Sequence, residues 1–178
     1  MHKQLSAYPR RQRGTALITS LIFLLLLTIM GITAVGTATL EERMAGNMKD
    51  QYLAFQAAES ALRYAESQLA NMPAAPPLSA ALSNDADIDV VAFGTVTDPA
   101  TRDRTWWITN GEEYGGTTTR IEGVADDPRF VIEERQRVEG ITLNASPDGL
   151  TYYRITARGV GATRSAQVVL QSTYALHN

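Results

Sequence analysis

The chain contains no cysteine. A disulfide framework, a thiolate metal site and a cysteine nucleophile are thereby excluded. Its two histidines, His2 and His177, each sit beside a terminus, so histidine-based catalysis or metal ligation has almost nothing to work with. No Gly-x-Ser-x-Gly, phosphate-binding loop or His-Glu-x-x-His string occurs. Gly159-x-Gly161 is not followed by a helix pattern, so a nucleotide reading fails there. A basic excess is missing too. The 16 Lys and Arg residues face 19 Asp and Glu, a net charge of -3, which leaves no electrostatic footprint for nucleic acid. The sequence therefore points away from an enzyme, and we read no cofactor and no metal in it. The 178 residues, 44% of them hydrophobic, suffice for one domain with a core and an appendage.

Two local absences are more informative. Residues 1–14 have no acid but carry Lys3, Arg10, Arg11 and Arg13, a net of +4. The rest of the chain has 12 basic residues against 19 acidic ones, a net of -7. Gly14 to Leu40 is then a run of 27 residues without one charge. As a helix it is about 40 Å long, enough to cross a hydrocarbon core of ~30 Å. The basic residues before it hold the N-terminus in the cytoplasm and send the bulk of the chain across the membrane. Three readings fit this start. It is a plain signal anchor, or a secretory signal cut near Ala34–Ala38, or a segment whose basic leader is removed on the cytoplasmic side at the Gly14-Thr15 junction. An h-region of a cleaved signal is shorter than this run.

Beyond Leu40 apolar residues recur at Met44, Met48, Phe55, Ala58, Leu62, Ala65, Leu69 and Met72, the last six at helical spacing. Glu59 and Arg63 stand in the favoured order for a helix pair. The pattern predicts one helix from Thr15 to Asn71, ended by Pro73 and Pro76-Pro77, with its later stripe packed on the downstream domain. Gly31, Gly36 and Gly46-Asn47 are its weak points, and local melting is expected most readily at Gly46-Asn47.

Residues 73–103 read as loop. Asp85-x-Asp87-x-Asp89 opens like a calcium loop, but Val90 and Val96 stand where Gly and Glu are needed, so a solvated acidic turn is the better reading. Asp126-Asp127 and Glu133-Glu134 read as solvated acidic pairs. Strands are expected at Arg104–Thr109, closed by an Asn110-Gly111 turn, and at Phe130–Val138, Tyr152–Ala157 and Ala166–Tyr174. Tyr114–Thr119 reads as a Gly/Thr loop, Asp148-Gly149 as a turn, and Arg158–Thr163 as a Gly-rich hairpin connection. Ala166, Val168, Leu170 and Ser172 share one face. The expected fold is α+β, a helix packed on one face of a four-stranded antiparallel sheet whose other face is wet. One of Trp106 and Trp107 is expected in the core.

The basic leader ending at Gly14, the uncharged run from Thr15 and the helix leading to a sheet resemble a type IV prepilin. The string Thr39-Leu-Glu41-Glu42-Arg43-Met44-Ala45-Gly46-Asn47, followed by Ala54-Phe55-Gln-Ala-Ala58-Glu59-Ser-Ala-Leu62, is similar to the N-terminal signature of PilX-type minor pilins. Tyr153–Gly159 and Val169–Tyr174 resemble that family's C-terminal strands. The likeness covers about the first 70 residues and the last 25.

The resemblance implies a pilin-like fold with a leader at 1–14, a transmembrane and filament-core helix at 15–40, its amphipathic continuation at 41–72 and a periplasmic β-rich domain at 73–178. It implies cleavage between Gly14 and Thr15 by a prepilin peptidase and N-methylation of Thr15. Most pilins carry Glu at the fifth residue after the cut, where this chain has Thr19. The implied role is initiation of type IV pilus assembly in a tip or priming complex of the inner membrane, supporting twitching motility and adhesion. The implied partners are other minor pilins, the major pilin, the inner-membrane assembly platform and a large tip adhesin. A single-span anchored or secreted periplasmic binding protein with no assembly role is the alternative.

Overall fold

The computed structural model describes residues 14–83, 88–116, 120–138 and 149–177. Lys3, Arg10, Arg11, Arg13, Asp85, Asp87, Thr117–Thr119 and Asp148 lie outside the described residues. Helix α1 runs Thr15–Ala70, and the chain divides into two compact units at Ala45/Gly46.

In the first unit the helix carries no buried residue, and its large apolar side chains, from Leu17 to Met44, are all exposed, none below 49%. Six hydroxyls here are satisfied inside the helix. Thr19, Ser20, Thr28, Thr33, Thr37 and Thr39 each donate to a carbonyl three or four residues back, at 2.6–3.1 Å. Back-bonding removes the polar cost these hydroxyls would otherwise bring to an apolar environment.

The second unit is built on the rest of α1 and one sheet. The buried helix residues are Ala54, Ala57, Ala58, Ala61, Leu62, Ala65 and Leu69, spaced by three and four. Five of these seven are alanine, which gives this face high helix propensity and almost no side-chain height. The strands are β1 (Val90–Ala92), β2 (Glu112–Glu113), β3 (Arg129–Val138), β4 (Leu150–Val160) and β5 (Gln167–His177). Their order is β1-β3-β4-β5, with β2 also on β3. β3, β4 and β5 form an antiparallel meander with Ile132 opposite Ile155 and Ala157 opposite Leu170. A bulge falls between Glu134 and Gln136.

Phe130, Ile132, Tyr153, Ile155 and Ala157 meet Ala61, Leu62, Ala65 and Leu69 in the main core. Burial of each large side chain there is worth about 1.5–3 kcal/mol. The even residues of β5 face this core, as the alternation predicts: Leu170, Tyr174 and Leu176 pack against it and Ser172 donates to Glu66 at 3.0 Å.

Four expectations are corrected. The sheet is five-stranded and mixed, because β1 pairs with β3 in parallel. Residues 73–103 are not all loop, since they contain β1 and a 3-10 turn at Pro99–Thr101. Arg104–Asn110 is a helix, α2, rather than a strand. Asp103 caps it by accepting from Trp106 N at 2.9 Å, and Gly111 ends it by donating to Trp107 O at 2.9 Å. The sheet's second face is not simply wet. α2 lays Trp107 against Val91, Val96 and Val131, with Leu82 and Trp106 beside them. Trp107 is thus the buried tryptophan of the pair.

Candidate functional site

Gly14 is exposed, and Thr15 is the first residue of α1. The junction read as a cleavage site therefore lies at the first residue of the helix. Thr19 holds its hydroxyl within its own helix, 2.9 Å from Thr15 O and 3.0 Å from Ala16 O. It carries no charge that a neighbour would have to neutralise.

The signature residues divide into two groups. Glu41, Glu42, Arg43, Met44, Ala45, Gly46 and Asn47 are all exposed, and the first three make no ion pair among the described residues. Ala58 is fully buried, and Glu59 lies 3.8 Å from Arg63 in a surface pair. Phe55 departs from the expected stripe. It is 42% exposed and, with Met48, Tyr52 and Val168 of β5, lines an open apolar hollow between the helix and that strand.

Ala58 has a geometric reason to be small. Gly159 of β4 stands so close that a Cβ there would come within 2.2 Å of Ala54 O and 2.3 Å of Ala58 N. At Gly161 a Cβ would come within 2.2 Å of Asp50 Oδ1 and 2.5 Å of Asp50 O. The Asp50 carboxylate in turn accepts from Thr163 N at 3.1 Å and from the Thr163 hydroxyl, which also contacts Ser165 at 2.8 Å. The Thr163 hydroxyl bond above all, with the Thr163 N–H, holds Asp50 below the ordinary carboxylate range, against the opposing effect of desolvation. The Gly159-x-Gly161 pair is thus the seat of the helix on the sheet. Its sequence signal was available in the small residues at Ala54 and Ala58, but nothing local says that they face Gly159, about a hundred residues away.

Two acidic pairs read as solvated behave differently. Glu133 is fully buried. Its Oε1 accepts from Gly94 N at 3.0 Å and Val96 N at 3.2 Å, while Oε2 accepts from both Nε and Nη2 of Arg154. Arg154 stacks over Phe93 at 4.4 Å. Strand β3, strand β4 and the segment after β1 are pinned together by one carboxylate. In the string Asp85-x-Asp87-x-Asp89, Asp89 ties its own loop by accepting from Ser83 N at 2.8 Å and Ser83 Oγ at 2.6 Å.

Asp126 accepts a two-pronged contact from Arg104, Nε and Nη2 each at 2.8 Å, with Arg164 at 3.6 Å. The Arg104 bonds hold its carboxyl below the ordinary value of 3.8, burial pushes the other way, and the charges of Arg104 and Arg164 add to the lowering. A lowered folded value means that the ionised form stabilises the fold. That contribution is complete above the ordinary value and is lost as pH falls through the folded one. Asp126→Asn is therefore expected to flatten the acid limb of a stability-versus-pH profile below about pH 4. Urea midpoints of both proteins between pH 2 and 6 would check it.

Comparison with known families completes the picture. Residues 13–63 match the family described as PilX N-terminal, and residues 63–176 match the type IV pilus assembly protein PilX C-terminal description. No curated protein and no solved structure matches the chain.

Proposed function

The chain belongs to the PilX family of type IV pilus assembly proteins, and from that premise we propose that this minor pilin takes part in initiating pilus assembly within a tip or priming complex. The single observation that carries this reading is Thr19. Its hydroxyl is satisfied by its own helix, in a run with no charged group. A buried carboxylate at that position would be costly unless a subunit above supplied a cation. A subunit without one tolerates a place with nothing above it, which is the tip. The helix is long and apolar enough to cross a membrane. On our reading residues 15–40 first anchor the chain in the inner membrane, N-terminus cytoplasmic and C-terminal domain periplasmic. Assembly then moves them into the filament core, where packing replaces lipid contact. The expected neighbours are other minor pilins, the major pilin, the assembly platform and a tip adhesin, and the expected consequences are twitching motility and adhesion.

The test is made in the native host. Deletion of the chain is expected to remove most surface pili and twitching, and the wild-type gene to restore both. The protein recovered from membranes is expected to begin at N-methylated Thr15, after prepilin peptidase cleavage at Gly14. Normal piliation in the deletion strain would overturn the initiating role. A mature chain starting near residue 37, or one retaining residue 1, would overturn the processing.

A further inference from the structure

Five of the twelve cationic residues that follow position 14 line one cavity of about 460 Å³. They arrive from separate elements: Arg104 from α2, Arg129 from β3, Arg158 from β4, and Arg120 and Arg164 from loops. The carboxylates in the wall are Asp126, Asp127 and Glu122. This is a concentration of positive charge in a chain that is otherwise acidic beyond its first 14 residues.

The internal pairing is incomplete. Arg104 and Arg164 share Asp126, and Arg120 lies 3.6 Å from Asp127. Arg129 is held from outside the cavity by Glu113 at 2.7 Å and the Gly111 carbonyl at 2.8 Å. Arg158 has no carboxylate partner among the described residues. It is 5% exposed, its Nη2 reaches Gln167 Oε1 at 3.3 Å, and its buried Nε has no acceptor. Burial holds this guanidinium below its ordinary value, with Arg104 and Arg129 adding to the effect and Asp126 opposing it. A buried donor left without an acceptor costs free energy that an incoming anion would recover.

We infer that this cavity receives an aspartate or glutamate side chain of a partner protein, with Arg158 at its base and Arg164 at its rim. Guanidinium forks match carboxylates in two-pronged geometry. Ile108, Ile121, Val124 and Ala125 also line the cavity and suit the methylene stem of an acidic side chain. The carboxylates already in the wall favour a monoanion over a phosphate dianion, which would meet more repulsion. That the partner is a neighbouring pilus subunit rests on the assembly reading above.

The test uses the full chain, 15N-labelled in detergent micelles, with the arginine Nε–H resonances followed by NMR. Glutarate is the carboxylate probe, and inorganic phosphate and sodium chloride at matched ionic strength are the comparisons. The Arg158 Nε–H signal is expected to shift saturably with glutarate. Arg164→Gln, at a solvent-facing position, is expected to weaken that binding roughly tenfold, the equivalent of one charge-assisted hydrogen bond. An Arg158 signal unmoved by glutarate, moved equally by chloride, or moved by phosphate alone would overturn the assignment. None of these outcomes bears on the mature N-terminus, so the assembly reading stands or falls separately.

Discussion

Glu133→Ala is expected to cost about 3–5 kcal/mol of stability, the range for breaking a buried ion pair by removing one partner. Three groups lose their acceptor at once: the Arg154 guanidinium and the N–H groups of Gly94 and Val96. Arg154 keeps 19% of its side chain in water and Gly94 is exposed, so both can rehydrate in part, but the N–H of buried Val96 has no such escape. With total stability of ordinary domains near 5–15 kcal/mol, this is a large fraction. It corresponds to a melting point lowered by roughly 6–20 °C. The damage should be local first. Val96 packs on Trp107 in the small core above the sheet's second face, so tryptophan emission reports it directly. We expect a red-shifted native spectrum and an earlier urea midpoint for the full chain in micelles. A midpoint within about 1 kcal/mol of wild type would show that the pin contributes little. Replacing both partners, Glu133→Leu with Arg154→Met, should recover the part of the loss that comes from the stranded guanidinium, while the Val96 N–H stays without its acceptor.

The pin illustrates where the sequence stops being legible. Phe130–Val138 reads as a strand from its apolar start, and the structure agrees at Arg129–Val138. That Glu133 within it is buried does not follow, because its partners are Arg154, 21 residues on, and two amides 37 and 39 residues back. Long-range polar satisfaction leaves no local trace. The helix was legible for the opposite reason. An uncharged run and an alanine-rich stripe are local properties, and Thr15–Asn71 was expected where Thr15–Ala70 is found. α2 was misread because Trp, Trp and Ile favour strands, while the decisive signal was the cap, Asp103, and a glycine that ends a helix as readily as it makes a hairpin. The parallel pairing of β1 was hidden by length, since three residues show no period. Of the candidate site, the helix start beside Gly14 and the missing charge at Thr19 could be read directly. The seat at Gly159 and the arginine cavity could not, since each is assembled from segments far apart in sequence.

Gly159→Ala is the second large effect. In most strands this exchange is harmless or helpful, because alanine narrows the unfolded ensemble. Here the added Cβ would lie 2.2 Å from Ala54 O and 2.3 Å from Ala58 N, well inside contact distance. Both atoms are helix backbone, so no side chain can rotate away. Either the helix lifts from β4 or the strand bends, and overpacking of this kind costs about 1–3 kcal/mol or more. We expect the upper part of that range, since lifting the helix also loosens the alanine face at Ala54, Ala57, Ala58 and Ala61. Gly46→Ala is the matched contrast. A Cβ at Gly46 meets nothing within 4 Å, and the residue lies within α1, so this exchange should stabilise by about 0.5–1 kcal/mol. Urea midpoints moving in opposite directions for the two glycines would establish that close approach, rather than glycine's flexibility, fixes Gly159. Equal midpoints would reject the seat. The pair also separates two demands on one helix. Undocking at Gly159 should release amides 54–61 to hydrogen exchange, whereas Gly46→Ala should slow exchange near residue 46. If assembly requires α1 to melt at Gly46-Asn47, the more stable Gly46→Ala protein will be the one that supports fewer pili.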